Sequence, residues 1–302
     1  MKDPYLLHIF NPTKNVSPFD VNMAYEAEFD GVIPYTEVVL DDIHALTQDT
    51  IFSRGKKRVK RTGIFIGGRE FGMAIDMLNR AKIAMVPPFE VSVFADPSGA
   101  ITTAAALMAC IEVQMKNVSG ESLSGKRIDI IGGTGPVGVC AGILAANCGA
   151  EVYLTSRRGA KVATEYASEY NARFGVKMFG ADSSTDDKVM EFLTESHIVI
   201  GAAKAGIQVL SKKQLDQATN LRVAADVNAV PPLGIEGVGV HDMGIELSNT
   251  PQKAVGLGAL AIGDVKYKVH FMMFEMMKNT DTPLYLDHER AFDVAREIAA
   301  KL

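Results

Sequence analysis

The chain has 302 residues, of which 47% are hydrophobic and 22% are charged, and its formal net charge is −5. This composition is typical of a globular protein, the length favours two domains, and the mild acidity does not favour binding to nucleic acid or to an anionic membrane. No apolar run reaches the ~18–20 residues of a membrane span, and the amino terminus lacks the apolar region of a signal peptide. We therefore expect a cytoplasmic protein.

The first part of the chain alternates short apolar runs with segments of helical periodicity. Strands are predicted at residues 5–10, 31–34, 63–66 and 91–95. Helices are predicted at residues 21–29 (begun by Ser17 or Asp20), 41–54, 69–84 and 102–115. Such alternation predicts an α/β domain with a mainly parallel sheet. The polar, glycine- and serine-rich residues 117–126 are typical of a connection between domains.

A second alternation of strands and helices follows the connection. Strands are predicted at residues 127–132, 151–155, 176–179, 197–202 and 222–227. Helices are predicted at residues 136–148, 159–174, 185–194 and 211–217, then from the 254–266 region to about 278, and at 288–301. The chain is therefore expected to hold two α/β domains.

A glycine-rich motif marks the first strand of the second half. It has the spacing G-x-G-x-x-G and reads Gly133, Thr134, Gly135, Pro136, Val137, Gly138. It follows an apolar strand and opens an alanine-rich helix, which is the context of a dinucleotide-binding turn. We expect Gly133 to permit the tight turn, Gly135 to let the backbone approach a pyrophosphate, and Gly138 to let helix and strand pack closely. The alternative is a glycine-rich turn that binds no ligand.

The end of the next strand carries Ser156, Arg157 and Arg158 where NAD-selective sites usually carry an acid. An arginine can bind a 2′-phosphate through two hydrogen bonds, and an acid there would repel it. The cofactor is therefore expected to be NADP or NAD, with NADP favoured. The alternative is that both arginines only lie at the surface beyond the strand.

Three cysteines and six scattered histidines lack the spacing of metal ligands, so no metal site is expected. The cysteines, Cys110, Cys140 and Cys148, are expected to be small buried side chains in a reducing compartment. The basic run at residues 56–61 is typical of a solvated loop, with the attraction of an acidic ligand tail as the alternative.

Five segments spread over the chain resemble a known family. They read S-P-F-D-V-N at 17–22, T-T-A-A-A at 102–106, G-G-T-G-P-V-G at 132–138, D-V-N-A-V-P-P-L-G-I at 226–235 and G-A-L-A-I-G-D-V-K at 258–266. With these marks the chain resembles the NAD(P)-dependent methylene-tetrahydromethanopterin dehydrogenases of methylotrophic bacteria. Their order along nearly the whole chain makes the resemblance more specific than the glycine motif alone.

The resemblance implies an amino-terminal αβα substrate domain at residues 1–120, which the terminal helices at 265–302 rejoin. It implies a Rossmann-type, doubly wound NAD(P)-binding domain at 121–264, a pterin substrate between the domains, and a homo-oligomer (dimer, trimer or hexamer). The implied reaction transfers a hydride from methylene-tetrahydromethanopterin to the nucleotide and gives methenyl-tetrahydromethanopterin, in the oxidation of one-carbon units derived from formaldehyde.

The substrate side of such a site is expected to use Phe19, Asp20, Thr102 and Thr103. Phe19 could stack on the pterin, and the Asp20 carboxylate could favour the developing cation or anchor the pterin ring. The alternative for Asp20 is a helix N-cap. The two threonines could hydrogen-bond the pterin or the nicotinamide, or cap the helix that they open.

Lys266 matches the family's lysine position and is expected to orient polar atoms of the substrate, with a solvated helix lysine as the alternative. Together with Asp20 it is the candidate catalytic residue, whereas Lys268 is expected to be solvated. Asn228 follows a buried strand and is expected near the nicotinamide.

Two other functions remain open at this point. A methylene-tetrahydrofolate dehydrogenase would share the layout and use a chemically similar carrier. A nucleotide-sensing protein without turnover would explain the glycine motif but leave the substrate-side marks unused.

Overall fold

The computed structural model describes residues 3–248 and 250–302, which form two compact units. One unit extends to Thr102 and includes Tyr267–Val294. The other consists of Thr103–Lys266 and Ala295–Leu302. The domain limits predicted from the sequence, at residues 120 and 265, stay a prediction.

The helices and strands of the described residues follow one another in a regular order. They are β1 (Leu6–Phe10), α1 (Pro18–Glu26), β2 (Gly31–Tyr35), α2 (Asp42–Phe52), β3 (Thr62–Ile66), α3 (Phe71–Ile83), β4 (Ser92–Ala95), α4 (Ala100–Ser119), β5 (Arg127–Ile131), α5 (Pro136–Asn147), β6 (Glu151–Ser156), α6 (Ala160–Phe174), β7 (Met178–Asp182), α7 (Asp186–Leu193), β8 (Ile198–Gly201), α8 (Lys212–Leu215), β9 (Val223–Asp226), β10 (Met243–Glu246), β11 (Val255–Leu257), α9 (Ala259–Lys278), β12 (Tyr285–Leu286) and α10 (His288–Ala299).

The first unit is built on five parallel strands in the order β2-β1-β3-β4-β12. All five residues of β3 are buried, as expected for an inner parallel strand covered on both faces. The strand order reverses between β1 and β3. Ligands of open α/β sheets bind beyond the carboxyl ends of the strands at such a reversal.

The second unit is a doubly wound sheet of seven strands in the order β7-β6-β5-β8-β9-β11-β10. Among the described strands of this sheet, only the β10–β11 pair is antiparallel. The six parallel strands follow the order of a Rossmann fold, with the reversal between β5 and β8. The predicted fold class is confirmed.

A cluster of aromatic rings ties α9 to the first sheet. The ring of Phe274 lies 5.5 Å from that of Phe65 and 5.4 Å from that of Phe94, and all three side chains are fully buried. Pairs of this kind contribute about 0.5–1.5 kcal/mol each beyond the burial of their area. The carboxyl-terminal segment is therefore part of the core of the amino-terminal unit.

The structure corrects the expectation that no apolar run could cross a membrane. Within the described residues, Pro97–Ser119 is long and apolar enough by length and composition, with a mean hydropathy of 1.3. In this structure 78% of that window is buried inside the protein, so its apolar side chains belong to the core.

All nine predicted strands are present, with ends that differ by at most three residues, but three short strands were missed. The sequence predicts that the apolar residues Val255–Leu257 lie at the start of a helix. They form β11 instead, because they pair with β9 on one side and β10 on the other. α9 accordingly begins at Ala259.

Candidate active site

The glycine-rich turn after β5 adopts a conformation that only glycine accepts easily. Gly132 has φ +81°, and a Cβ there would lie 2.7 Å from the backbone of Ala203. A Cβ on Gly133 would lie 2.8 Å from the Cα of Leu154 in β6. The tight turn therefore depends on Gly132. The prediction that Gly133 permits the turn is corrected, because Gly133 instead allows the turn to pack against β6.

The last glycine of the motif has the predicted packing role. A Cβ on Gly138 would lie 2.7 Å from the Cα of Gly133, so no larger residue lets α5 approach the turn this closely. Gly135 is the N-cap residue, and Pro136 occupies the first helical position. The first backbone N–H groups of α5, including those of Val137 and Gly138, have no acceptor inside the helix and can bind phosphate oxygens.

A cavity of about 440 Å³ lies at the carboxyl ends of β5, β6 and β8. The sequence-predicted residues that line it are Thr134, Gly135, Ser156, Arg157 and Arg158. Gly133, Pro136, Val137, Gly138 and Asn228 are not among its lining residues. The predicted cofactor residues thus divide into five that line the cavity and five that do not.

The two arginines are exposed beyond the end of β6. The Arg158 guanidinium carbon lies 5.9 Å from the centre of the Tyr166 ring on α6. The Ser156 hydroxyl accepts a hydrogen bond from the backbone N–H of Arg158 at 3.1 Å, which shapes the turn. No acidic residue lines the cavity, so its charge suits an anion with several phosphates.

Lys204 is a cavity-lining cation that the sequence analysis did not identify. It follows β8, on the other side of β5 from the arginines. The signal that could have found it was its position just after a strand beside the expected strand-order reversal, where ligands bind.

The Asn228 side chain forms hydrogen bonds with the loop after β8 and with the loop after β9. Its side-chain oxygen accepts the N–H groups of Gly206 at 3.1 Å and Val230 at 2.9 Å, and its amide group donates to the carbonyl of Pro232 at 2.9 Å. The predicted contact with the nicotinamide stays a prediction. In this structure the side chain holds the loop that follows β8.

Asp226 supports the same loops. Its carboxylate accepts the N–H groups of Asn228 at 3.0 Å and Ile235 at 3.1 Å. Burial raises the pKa of this carboxyl group, while the hydrogen bonds from the backbone act in the opposite direction. Asp226 therefore stabilises the wall of the cavity.

Phe19 and Asp20 lie in the first turn of α1, which follows the carboxyl end of β1. The N-cap residue is Ser17, so the alternative that Asp20 is the N-cap is wrong. Asp20 is 3% exposed, and the Phe19 ring lies edge-on to the His270 ring at 5.5 Å. A carboxylate in the first turn is favoured by the helix dipole.

The two candidate threonines have different surroundings. The Thr102 side chain is fully buried, and its hydroxyl donates to Asp96 at 2.6 Å. The group that caps α4 is the Asp96 carboxylate, because it accepts the N–H groups of Ile101 and Thr102. The alternative that Thr102 caps the helix is therefore wrong, and its hydroxyl proton is used inside the protein. Thr103 is half-buried and directly follows it.

Lys266 is half-buried on α9, whereas Lys268 is exposed. Lys266 precedes His270 by four residues, so both lie on the same face of the helix. The His270 ring is fully buried and lies 2.9 Å from Asp96. In the first unit the ring is surrounded by the Asp96 carboxyl group and by four aromatic rings whose centroids lie 5.0–5.9 Å away, those of Phe19, Phe65, Phe94 and Phe274.

The basic run lies at the amino end of the first sheet. Residues 56–61 immediately precede β3, whereas Asp20 follows the carboxyl end of β1. A five-residue strand is roughly 17 Å long, so the basic run and Asp20 lie at opposite ends of the parallel strands. This placement favours the solvated-loop interpretation.

Comparison with known proteins identifies the family. The family described as methylene-tetrahydromethanopterin dehydrogenase, N-terminal, matches residues 18–98. A protein of Methylorubrum extorquens named NAD(P)-dependent methylenetetrahydromethanopterin dehydrogenase is 43% identical over 97% of this chain and 98% of its own length. The chain belongs to the methylene-tetrahydromethanopterin dehydrogenase family. The predicted resemblance is confirmed.

A second relative and two solved structures extend the comparison of this family member. The protein named Bifunctional protein MdtA, also of Methylorubrum extorquens, is 32% identical over 97% of the chain and 99% of its own length. Shikimate 5-dehydrogenase from Listeria monocytogenes has a TM-score of 0.51 at 15% identity, covering 99% of this chain and 97% of that one. Ornithine carbamoyltransferase from Pyrococcus furiosus has a TM-score of 0.53 at 11% identity, with 92% and 86% covered. The two structures support the fold alone.

Proposed function

We propose that this protein oxidises methylene-tetrahydromethanopterin to methenyl-tetrahydromethanopterin and transfers the hydride to NADP or NAD. The observation that carries the proposal is the relative of that name, which is 43% identical over almost the full length of both chains. The proposal includes a one-carbon carrier as substrate and an oxidoreductase activity. The glycine turn and the cavity beside it supply the nucleotide site that this reaction needs.

The residues around the cavity fit a dinucleotide. The glycines exclude side chains where a phosphate must approach, the N-terminus of α5 offers backbone donors, and the lining residues include three cations and no acid. A bound nicotinamide supplies the hydride acceptor. Thr134 and Gly135 would lie against the phosphates, and Ser156, Arg157 and Arg158 would surround the ribose phosphate that distinguishes NADP from NAD.

The chemistry of the substrate makes modest demands on side chains. The carbon that loses the hydride lies between two nitrogens, so positive charge spreads over N–C–N and no proton has to leave that carbon. The protein must hold the reacting carbon close to the hydride acceptor and exclude water, and positioning of this kind can supply ~7–11 kcal/mol. This requirement fits an enzyme whose candidate catalytic residues are few.

We assign two roles to charged side chains on this basis. The buried Asp20 carboxylate stabilises the cation that develops on the substrate. Lys266 orients polar atoms of the pterin, and Phe19 and Thr103 are also assigned to pterin contacts. The position of Asp20 supports its assignment. It lies beyond the carboxyl end of β1, beside the strand-order reversal where ligands of such sheets bind.

The assignment of Lys266 has a matched control on the same helix. Lys266→Met should lower kcat/KM for the pterin by at least about 100-fold, because a group that orients the reacting substrate is lost. Lys268→Met, at an exposed position, should leave it unchanged. Equal activity of the two folded variants would remove Lys266 from the site.

The oligomeric state and the cellular location are part of the proposal. Family resemblance supports a homo-oligomer, and the composition supports a cytoplasmic location. Light scattering after size-exclusion chromatography gives the mass of the assembly. A monomer of 32.5 kDa under assay conditions would overturn the first of these.

The direct test is an assay of nucleotide reduction with purified protein. Methylene-tetrahydromethanopterin and methylene-tetrahydrofolate are each supplied with NADP or NAD, and reduced nicotinamide is followed by its near-ultraviolet absorbance. Turnover of the methanopterin carrier supports the proposal. Preference for the folate carrier, or nucleotide binding without turnover of either carrier, would overturn it in favour of a folate dehydrogenase or a nucleotide sensor.

A further inference from the structure

Lys204 lies where the two halves of the Rossmann sheet diverge. It is the third residue after β8, and β8 is the neighbour of β5, whose carboxyl end carries the glycine turn. The reversal of strand order between these two strands forms the crevice in which dinucleotides cross a sheet of this kind. Lys204 is therefore the lysine of the cavity lining at the point of reversal.

The loop that carries Lys204 is held at both ends. At its start, the backbone of Ala202 and Ala203 lies against Gly132, so closely that a Cβ on this glycine would be 2.7 Å from Ala203. At its end, the N–H of Gly206 donates to the side chain of Asn228 at 3.1 Å. Lys204 thus projects from a short, anchored segment beside the glycine turn.

The charges near Lys204 point to an anion. The residue is exposed, and no acidic side chain of residues 3–248 or 250–302 forms an ion pair with it in this structure. The cavity that it lines contains no acid and two further cations, Arg157 and Arg158. These arginines follow β6, so β5 with its glycine turn lies between them and the β8 loop.

This arrangement separates two kinds of phosphate. The strand after the glycine turn, β6, is the one whose carboxyl end normally meets the adenosine ribose, so the arginines belong to the 2′-phosphate of NADP. The pyrophosphate lies over the glycine turn at the N-terminus of the helix that follows, which here is α5. Lys204 lies beside that turn on the β8 side, whereas the arginines lie on the β6 side.

We infer that Lys204 binds the pyrophosphate that NADP and NAD share, whereas Arg157 and Arg158 bind only the 2′-phosphate. This inference rests on the proposed nucleotide-dependent function and adds a division of labour to it. Lys204 sets the affinity for both cofactors, and the arginines set the choice between them. The hydrogen bond from the Gly206 N–H to the Asn228 side chain contributes to cofactor binding by holding Lys204 in place.

Fragments of the cofactor separate the two roles without any turnover. ADP-ribose contains the pyrophosphate but no 2′-phosphate, and 2′-AMP contains the 2′-phosphate but no pyrophosphate. Their dissociation constants are measured by calorimetry for the wild type, Lys204→Met, Lys204→Arg and Lys213→Met. Lys213 is an exposed lysine of the same unit that does not line the cavity, so it controls for the loss of one positive charge.

Lys204→Met should raise the dissociation constants of ADP-ribose, NAD and NADP by a similar factor of about 10, which is the effect of losing one charged contact to a phosphate. Binding of 2′-AMP should stay unchanged, Lys204→Arg should retain most of the affinity, and Lys213→Met should behave like the wild type. Unchanged ADP-ribose binding by Lys204→Met would overturn the inference. So would a loss confined to NADP and 2′-AMP, because Lys204 would then belong to the 2′-phosphate.

The same experiment distinguishes failure of the inference from failure of the proposed function. If the wild type binds all four ligands but reduces neither NADP nor NAD with a pterin, the proposed reaction fails while the fragment data still decide the role of Lys204. If the wild type binds neither NADP nor ADP-ribose, the cofactor assignment fails and the inference fails with it.

Discussion

The ring nitrogen Nδ1 of His270 lies 2.9 Å from a carboxylate oxygen of Asp96, and both side chains are fully buried. The same carboxylate accepts the hydroxyl of Thr102 at 2.6 Å and the backbone N–H groups of Ile101 and Thr102 at 2.9 and 3.1 Å. The hydroxyl and the two backbone N–H groups are donors, so the Asp96 carboxyl group serves as their acceptor at the N-terminus of α4. It joins α9 to the turn between β4 and α4.

Asp96→Asn tests the energetic weight of this junction. The amide keeps the shape, but its NH2 group replaces an oxygen that accepts either the Thr102 hydroxyl or the two backbone N–H groups, so at least one buried hydrogen bond is lost. We expect a loss of about 1–3 kcal/mol in the free energy of unfolding, measured with urea. Asp41→Asn, at an exposed N-cap whose side chain makes no capping hydrogen bond, should change stability by less than about 0.5 kcal/mol. Equal stability of the two variants would contradict the expectation.

Gly138→Ala should disrupt the nucleotide site. The added Cβ would lie 2.7 Å from the Cα of Gly133, and because the obstacle is backbone, α5 must move away from the turn. We expect a lower melting temperature and loss of nucleotide binding, measured by calorimetry. Gly263→Ala is the control, since a Cβ there meets nothing within 4 Å and alanine favours a helix by up to about 1 kcal/mol. Nucleotide binding by Gly138→Ala at wild-type affinity would show that the close packing is not required.

Replacing Arg157 and Arg158 together by alanine should reduce the preference for NADP. Both side chains line the cavity without an acidic neighbour in its lining, so their loss removes charged contacts to the 2′-phosphate. We expect kcat/KM for NADP to fall by about 10–100-fold and that for NAD to change by less than about twofold. Lys161→Ala, an exposed position at the start of α6, should change neither value. A parallel fall with both nucleotides would indicate that the arginines act on a shared part of the cofactor.

Stability should decrease in mildly acidic solution through His288. Burial lowers the pKa of this ring below its ordinary value of 6.5, although Asp287 and Glu289 act in the opposite direction. Between the folded-state pKa and 6.5 the unfolded chain binds more protons than the folded one, so stability is lost as the pH falls through this window. The slope contributed by one histidine is at most about 1.4 kcal/mol per pH unit.

His288→Gln removes this contribution, so the difference in the free energy of unfolding between neutral and mildly acidic buffer should become smaller. The Gln variant of His44, which is exposed, serves as the control and should keep the wild-type pH dependence. An unchanged pH dependence in His288→Gln would show that other groups cause the acid sensitivity.

Local patterns were sufficient for the framework of the fold. The alternation of apolar strands with periodic helices located every strand of the two sheets that is longer than three residues, except β10. Short elements fixed by pairing were not accessible in this way. The two residues of β12 carry no periodicity, and β11 was read as part of a helix because its neighbours on either side are also apolar.

The candidate site was predictable only where its residues lie close together in the sequence. The glycine motif and the arginine pair each occupy a few consecutive positions, and the structure brings both to one cavity. The Asp96–His270 bond joins residues 174 positions apart, and nothing in either local segment indicates the partner. Lys204 was missed for a similar reason, since a single lysine after a strand gains meaning only from the strands beside it.

The short strand β12 has a consequence for how this chain is made. It covers the outer edge of β4, and the N–H of Leu284 donates to the Ser92 hydroxyl across a separation of 192 residues. At a synthesis rate of about 5–20 residues per second, a ribosome takes about 10–40 s to produce the residues between them. During that interval the side of β4 that later pairs with β12 is an open sheet edge, and open edges are surfaces through which chains aggregate. The nascent amino-terminal unit therefore lacks β12 until the residues of the nucleotide-binding unit that precede β12 have been translated.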